Sequence, residues 1–351
     1  MKNSRIFPLI FIVVMGLLLS ACAGGMTVNG WPGASVDENG LFLAAGNQVY
    51  ALNPDNGNLL WKFPEKASAN QLFFAIPAVN TDVVIVGDYT SKLYALGIKD
   101  GKERWQFDDA KSRYIASPVI VGETLLAANA DGKLYALDMN GNLKWSFETK
   151  HALWATPQVD GETVFLSSMD HSIYSLNLSD GSENWSEDLG SALVAPALYN
   201  DGIIYQGSLN GEFHALQAKD GKILWTYKAD GGVWSEALLH EGKLYFGDQK
   251  GVIYILTASD GSLVQRITTE SAITGKPALM EDGMVFSNEK GEVYTIGFGG
   301  ERMWTRTVEG KAFSEITVTG DKIYVPYAQG KKLLEVFDIN GNGLWSFTPS
   351  K

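Results

Sequence analysis

The sequence predicts an all-β chain: an eight-bladed β-propeller of four-stranded antiparallel blades. Three observations predict it. First, a glycine is followed four residues later by a tryptophan in seven units, giving Trp61, Trp105, Trp145, Trp185, Trp225, Trp304 and Trp345 after Gly57, Gly101, Gly141, Gly181, Gly221, Gly300 and Gly341. One further unit places Gln265 after Gly261, and successive glycines are 44, 40, 40, 40, 40, 39 and 41 residues apart. Second, two columns precede each glycine. One reads Tyr50, Tyr94, Tyr135, Tyr174, His214, Tyr254, Tyr294 and Glu335, and the small or β-branched one after it reads Ala51, Ala95, Ala136, Ser175, Ala215, Ile255, Thr295 and Val336. Third, each unit divides into four β-rich runs separated by Gly, Asp or Asn turns, and no stretch of ten residues keeps a helical period. Four strands in about 40 residues is the signature of a propeller blade.

Taken in chain order, the first element precedes the fold. Lys2 and Arg5 lead into the apolar run Ile6 to Leu19, a secretory signal pattern over residues 1–21. The run ends Leu19-Ser20-Ala21-Cys22, which looks like a bacterial lipobox, with lipid on Cys22. Cys22 is the one cysteine in 351 residues, so it has no disulfide partner within the chain. Removing the leader takes away Lys2 and Arg5 and moves the formal charge from −12 to −14. Acyl chains such as palmitate would hold the mature protein to a membrane as an anchor rather than a span. Residues 22–33, rich in glycine, read as a short tether, with Trp31 and Pro32 able to pin its end; residues 34–351 read as a single propeller.

The units follow, and unit three shows the pattern. Its runs are "ASPVIVG", "ETLLAANA", "GKLYALDM" and "LKWSFET". A blade of this kind has two apolar faces and buries neither alone. Stacking blades radially buries both, with an indole near each turn packing on the next blade and the small residue of the third run leaving it room. An acidic chain of this composition disfavours a nucleic-acid partner, and the fold needs no second copy to close.

The stretches "YALDMNGNLKW", "YALNPDNGNLLW" and "HALQAKDGKILW" resemble the PQQ-type repeat (quinoprotein-dehydrogenase-like), whose docking motif sets Ala, a turn Gly and Trp at fixed offsets. The resemblance covers about residues 34 to 348 and implies eight blades. A lipobox joined to eight such repeats is similar to the BamB family of outer-membrane assembly lipoproteins. That similarity implies a non-enzymatic scaffold at the cell envelope, anchored on the extracytoplasmic side and working beside the barrel-assembly machinery. Ala23 after the lipid cysteine is compatible with sorting to an outer membrane in a diderm cell; in a monoderm cell the outer face of the plasma membrane is the equivalent place.

Candidate functional residues gather where the connections between blades and the turns between second and third strands emerge on one face. The connections are aromatic, with Phe73, Phe74, Tyr114, Trp154, Trp234 and Phe313, and the turns are polar, with Asp88, Tyr89, Asn129, Asp131, Asp170, His171, Asn210, Asp248, Asn288 and Tyr327. First strands carry Pro77, Pro118, Pro157, Pro196 and Pro277, while two units offer Glu236 and Glu315 instead. Tyr89, Tyr114, Trp154, His171, Trp234, Glu236, Phe313 and Glu315 therefore form the candidate binding face. Solvated loops around a water-filled hole explain the same residues; a protein-docking surface and a small-molecule site are the functional alternatives. The four histidines lack metal-ligand spacing, "SSMDHS" is one turn of the repeat, and "GFGG" has no strand-turn-helix context for a phosphate loop. No catalytic set and no metal site is expected. The repeat also resembles quinoprotein dehydrogenases, which implies pyrroloquinoline quinone and calcium as cofactors under that alternative, and aromatic rings leave room for carbohydrate binding as a further one.

Overall fold

The computed structural model describes residues 31–349, so the leader, Cys22 and residues 23–30 lie outside the described residues. Thirty-two described strands form eight four-stranded antiparallel sheets, each built from one contiguous stretch of chain. The blades run 33–63, 78–107, 119–148, 158–188, 198–228, 238–268, 278–307 and 317–347. Because blades one and eight each contain four strands of their own, the ring closes between whole blades rather than through a shared one.

One row of cross-strand pairs explains the repeated columns. In blade three, Trp145 pairs with Ala136, Ala136 with Leu126, and Leu126 with Val119 on the innermost strand, Val119–Val121. The small column therefore lies directly opposite the docking residue in every blade, from Ala51 opposite Trp61 to Val336 opposite Trp345. A register shift follows that pair each time, as between Ala136 and Leu137, which twists the edge strand locally.

Each indole then crosses to the next blade. Trp61 Nε1 donates to Ile98 O at 2.8 Å, Trp105 to Met139 O at 2.9 Å, Trp145 to Leu178 O at 3.0 Å, Trp185 to Ala218 O at 2.9 Å, Trp225 to Ala258 O at 3.1 Å and Trp304 to Ile339 O at 2.9 Å. The ring lies on the next blade's turn glycine. At Gly181, whose φ is +73°, a Cβ would come within 2.4 Å of Trp145 Cε3, so both backbone and space demand glycine. Gln265 takes the docking place in blade six, against Gly300. At the closing seam Trp345 sits over Gly57, while Tyr324 reaches Pro54 O at 3.4 Å and Lys322 pairs with Asp55 at 2.8 Å.

The apolar core is distributed accordingly. Among the described residues eight buried clusters occur, each drawing side chains from two consecutive blades. The closing cluster joins Ala34, Leu41 and Leu43 of blade one to Tyr324, Leu334 and Val336 of blade eight. No blade has a private core, which is the physical reason for a ring.

Candidate functional site

The same row that ends at Val119 ends at Ser35, Ala78, Gln158, Leu198, Leu238, Ala278 and Thr317 in the other blades. Two residues before these positions come Gly33, Ile76, Ser117, Thr156, Pro196, Glu236, Lys276 and Glu315, and all eight line a cavity of about 100 Å³ on the propeller axis. Four residues before them come Trp31, Phe74, Ile115, Trp154, Val194, Trp234, Thr274 and Phe313, which form a collar. Above the collar a wider basin of about 380 Å³ is lined by Trp31, Phe74, Tyr89, Arg113, Ile115, Trp154, Trp234, Phe313 and Gln329.

The collar rings touch one another. Trp31 meets Trp234 edge-on at 5.2 Å and Phe313 at 6.2 Å, and Trp154 lies 6.1 Å from Trp234. Phe74 stacks on Tyr89 at 3.9 Å, with the Arg113 guanidinium 5.2 Å over the Tyr89 ring, and Lys311 Nζ stands 5.5 Å over Phe313. Below the collar the ring is chemically divided. In blades two to four hydroxyls stitch neighbouring strands: Ile76 N donates to Ser117 Oγ at 3.0 Å and Ser117 N to Thr156 Oγ1 at 3.1 Å. In blades six to eight the same level carries Glu236, Lys276 and Glu315, with Lys276 Nζ donating to Glu236 Oε1 at 2.5 Å.

Burial drives the electrostatics of this triad. It raises the Glu236 carboxyl to about 7; the Glu315 charge adds to the rise and Lys276 opposes it. Burial also raises Glu315, again against Lys276. For Lys276 burial acts downward, but the two carboxylates outweigh it and the ammonium stays above its usual range. A carboxyl raised on folding binds its proton more tightly in the native state, so its contribution is complete below pH 4.5 and is lost as pH rises towards 7. We therefore expect stability to fall by roughly 2–3 kcal/mol between pH 4.5 and 7.5, a slope that Glu236→Gln flattens in urea titrations at each pH. Equal slopes in the two proteins would contradict the burial of this group.

The structure brings five of the eight candidate residues around the axis: Trp154, Trp234 and Phe313 at the collar, with Glu236 and Glu315 beneath. Tyr89 lies at the basin rim. Tyr114 sits instead in the seam between blades two and three, 2 % exposed, packed on Gly87. His171 is an exposed turn residue with φ +81°, taking the left-handed position that Gly132, Gly211, Gly251 and Gly291 hold in other blades. The polar turns are likewise structural. Asp170 accepts hydrogen bonds from Tyr174 Oη (2.7 Å) and from the Lys150 and Ser172 backbone N–H groups, and Asp248 accepts from Tyr254 Oη (3.0 Å) and Val252 N.

Two positions of the candidate site were missed. Trp31, expected only to pin the end of the tether, is part of the collar, and the first strand starts at Gly33, one residue before the expected boundary. Lys276 occupies the axial level of Glu236 and Glu315. The proline column concealed it: Pro77, Pro118, Pro157 and Pro277 lie one residue before the innermost row, whereas Pro196 shares the level of the acids. Alignment through the docking residues by strand pairing, rather than proline to proline, exposes Lys276.

The quinone alternative implies calcium, which takes six to eight oxygen ligands. Glu236 is already engaged by Lys276, and an ammonium stands at the level where a cation would sit, so the residues present do not fit that group. Among the described residues no cluster of three His, Cys, Asp or Glu could hold a metal ion.

Fold and axis together define a class, an eight-bladed propeller of PQQ-type repeats with an aromatic-collared channel. The family model described as outer membrane protein assembly factor BamB matches residues 22–168, 114–198, 170–264 and 249–351, and the chain belongs to that family. In three dimensions it is similar to the crystal structure of BamB from Moraxella catarrhalis, with TM-score 0.77 and 16% identity, covering 90% of this chain and 98% of that one. It is equally similar to the computationally designed Ika8 protein, with TM-score 0.77 and 15% identity over 89% and 98% of the two chains. At such identities these likenesses concern the fold. No curated protein matches the sequence.

Proposed function

We propose that this chain is a lipid-anchored, extracytoplasmic, non-enzymatic scaffold that binds protein partners during the insertion of β-barrel proteins into an outer membrane. The observation that carries this reading is the family match from residue 22 to residue 351. Two features support it: the Leu19-Ser20-Ala21-Cys22 pattern at the N-terminus, and an aromatic collar with a charged rim, the composition that protein interfaces favour. The anchor also orients the propeller. Only eight residues separate Cys22 from Trp31, so the nine steps between them reach at most roughly 30 Å. A lipid on Cys22 therefore holds the collar face near the membrane.

Deleting the chain in its native host lowers the amount of folded β-barrel protein in the outer membrane, and the wild-type chain restores it. Undiminished barrel content would overturn the proposal. Pyrroloquinoline quinone with calcium leaves the melting temperature of the purified protein unchanged, since a tight ligand stabilises by mass action.

A further inference from the structure

We propose that the collar and the charged half-ring beneath it bind an organic cation: a primary ammonium group on a short apolar stem. The site goes beyond the scaffold reading and does not depend on it.

Three indoles and a phenyl ring, from Trp31, Trp154, Trp234 and Phe313, enclose the neck between basin and axial cavity. Aromatic faces carry negative quadrupole density and attract cations, most strongly once both are out of water. Rings of this face already do so: Arg113 lies over Tyr89 and Lys311 over Phe313. Below the neck two carboxylates face one ammonium. Lys276 is committed to Glu236. Glu315 makes no hydrogen bond and no ion pair within 4 Å among the described residues, and it senses Lys276 only at longer range. Burial holds both carboxyls towards their neutral forms, and an ammonium entering the cavity favours their ionised forms, so that the triad then offers it one unmatched negative charge at the foot of an aromatic neck. An anion would meet that charge and the ring faces, so the lone Lys276 does not make this an anion site. The axial cavity, about 100 Å³, holds an ammonium head and a few methylenes, with the rest of the stem against the collar.

The chemistry is shared by a free alkylamine and by a lysine side chain offered by a partner, so the test uses both. Titrating the protein with 1,5-diaminopentane and with N-acetyl-lysine amide, read by calorimetry and by the shift of tryptophan emission, gives saturable binding of at least one of them. The uncharged 1,5-pentanediol gives none. Binding of the diamine alone assigns the site to free amines, and binding of the lysine derivative alone assigns it to a partner's side chain. Glu315→Gln, which keeps the shape, weakens binding at least roughly tenfold, as does Trp234→Ala. Lys276→Gln removes the internal competitor and tightens it. If neither amine binds, if the diol binds equally, or if Lys276→Gln weakens binding as much as Glu315→Gln does, the proposal fails.

Discussion

Trp145→Ala lowers stability by about 3 kcal/mol, and Gly181→Ala, one blade further on, lowers it by a similar amount. Truncating a packed tryptophan costs about 3–5 kcal/mol. The lower end applies because the indole is half-exposed at the outer rim, although it also loses its bond to Leu178 O. Gly181→Ala meets two penalties: about 1–2 kcal/mol for an L-residue in the left-handed region, and a further 1–3 kcal/mol for forcing a methyl into a ring 2.4 Å away. Gly161 supplies the control. Its φ is +53°, but an added Cβ finds nothing within 4 Å, so Gly161→Ala shows the backbone penalty alone. The two seam residues must also couple. Once Trp145 is alanine the methyl at position 181 has room, and Gly181→Ala costs no more than Gly161→Ala. Urea midpoints of the four proteins form a double-mutant cycle; strict additivity would mean that the indole does not rest on the glycine.

Cys22→Ser abolishes membrane attachment through lipid. The only cysteine follows a lipobox-like run, and no helix among the described residues is long and apolar enough to cross a membrane. Two or three acyl chains, each methylene contributing about 0.8 kcal/mol on burial, hold a protein firmly, and their loss removes that whole contribution. The variant takes up no palmitate label and keeps its leader, 21 residues longer by mass spectrometry. Normal processing and unchanged fractionation would refute lipidation at this residue.

The sequence exposed the architecture because packing repeats eight times. Gly and Trp recur since each indole must rest on a Cβ-free turn, and Ala136 or Ser175 recurs since that position lies directly across from the indole. The axis obeys a different rule. There eight non-equivalent residues meet, and no period forces their identity. The first-strand prolines do not mark one level, since Pro196 stands with the acids and Pro277 one residue further in, so aligning the units by proline hid Lys276 from Glu236 and Glu315. Trp31 read only as a residue able to pin the end of the tether, because it lies outside the repeat and no column points to the axis. The turn carboxylates Asp170 and Asp248 looked functional, although their oxygens are spent on tyrosine hydroxyls and turn N–H groups. Composition reveals a polar turn; only geometry reveals that its polarity is satisfied internally.

We propose that a ring of eight whole blades serves as a binding platform at the envelope. Gentle solubilisation of native membranes, capture of the tagged protein after brief crosslinking, and identification of its neighbours by mass spectrometry test it most directly. Components of the β-barrel insertion machinery are expected among them, crosslinked through residues of the propeller. Recovery of the protein free of those components, or carrying a quinone that an alcohol reduces, would contradict it.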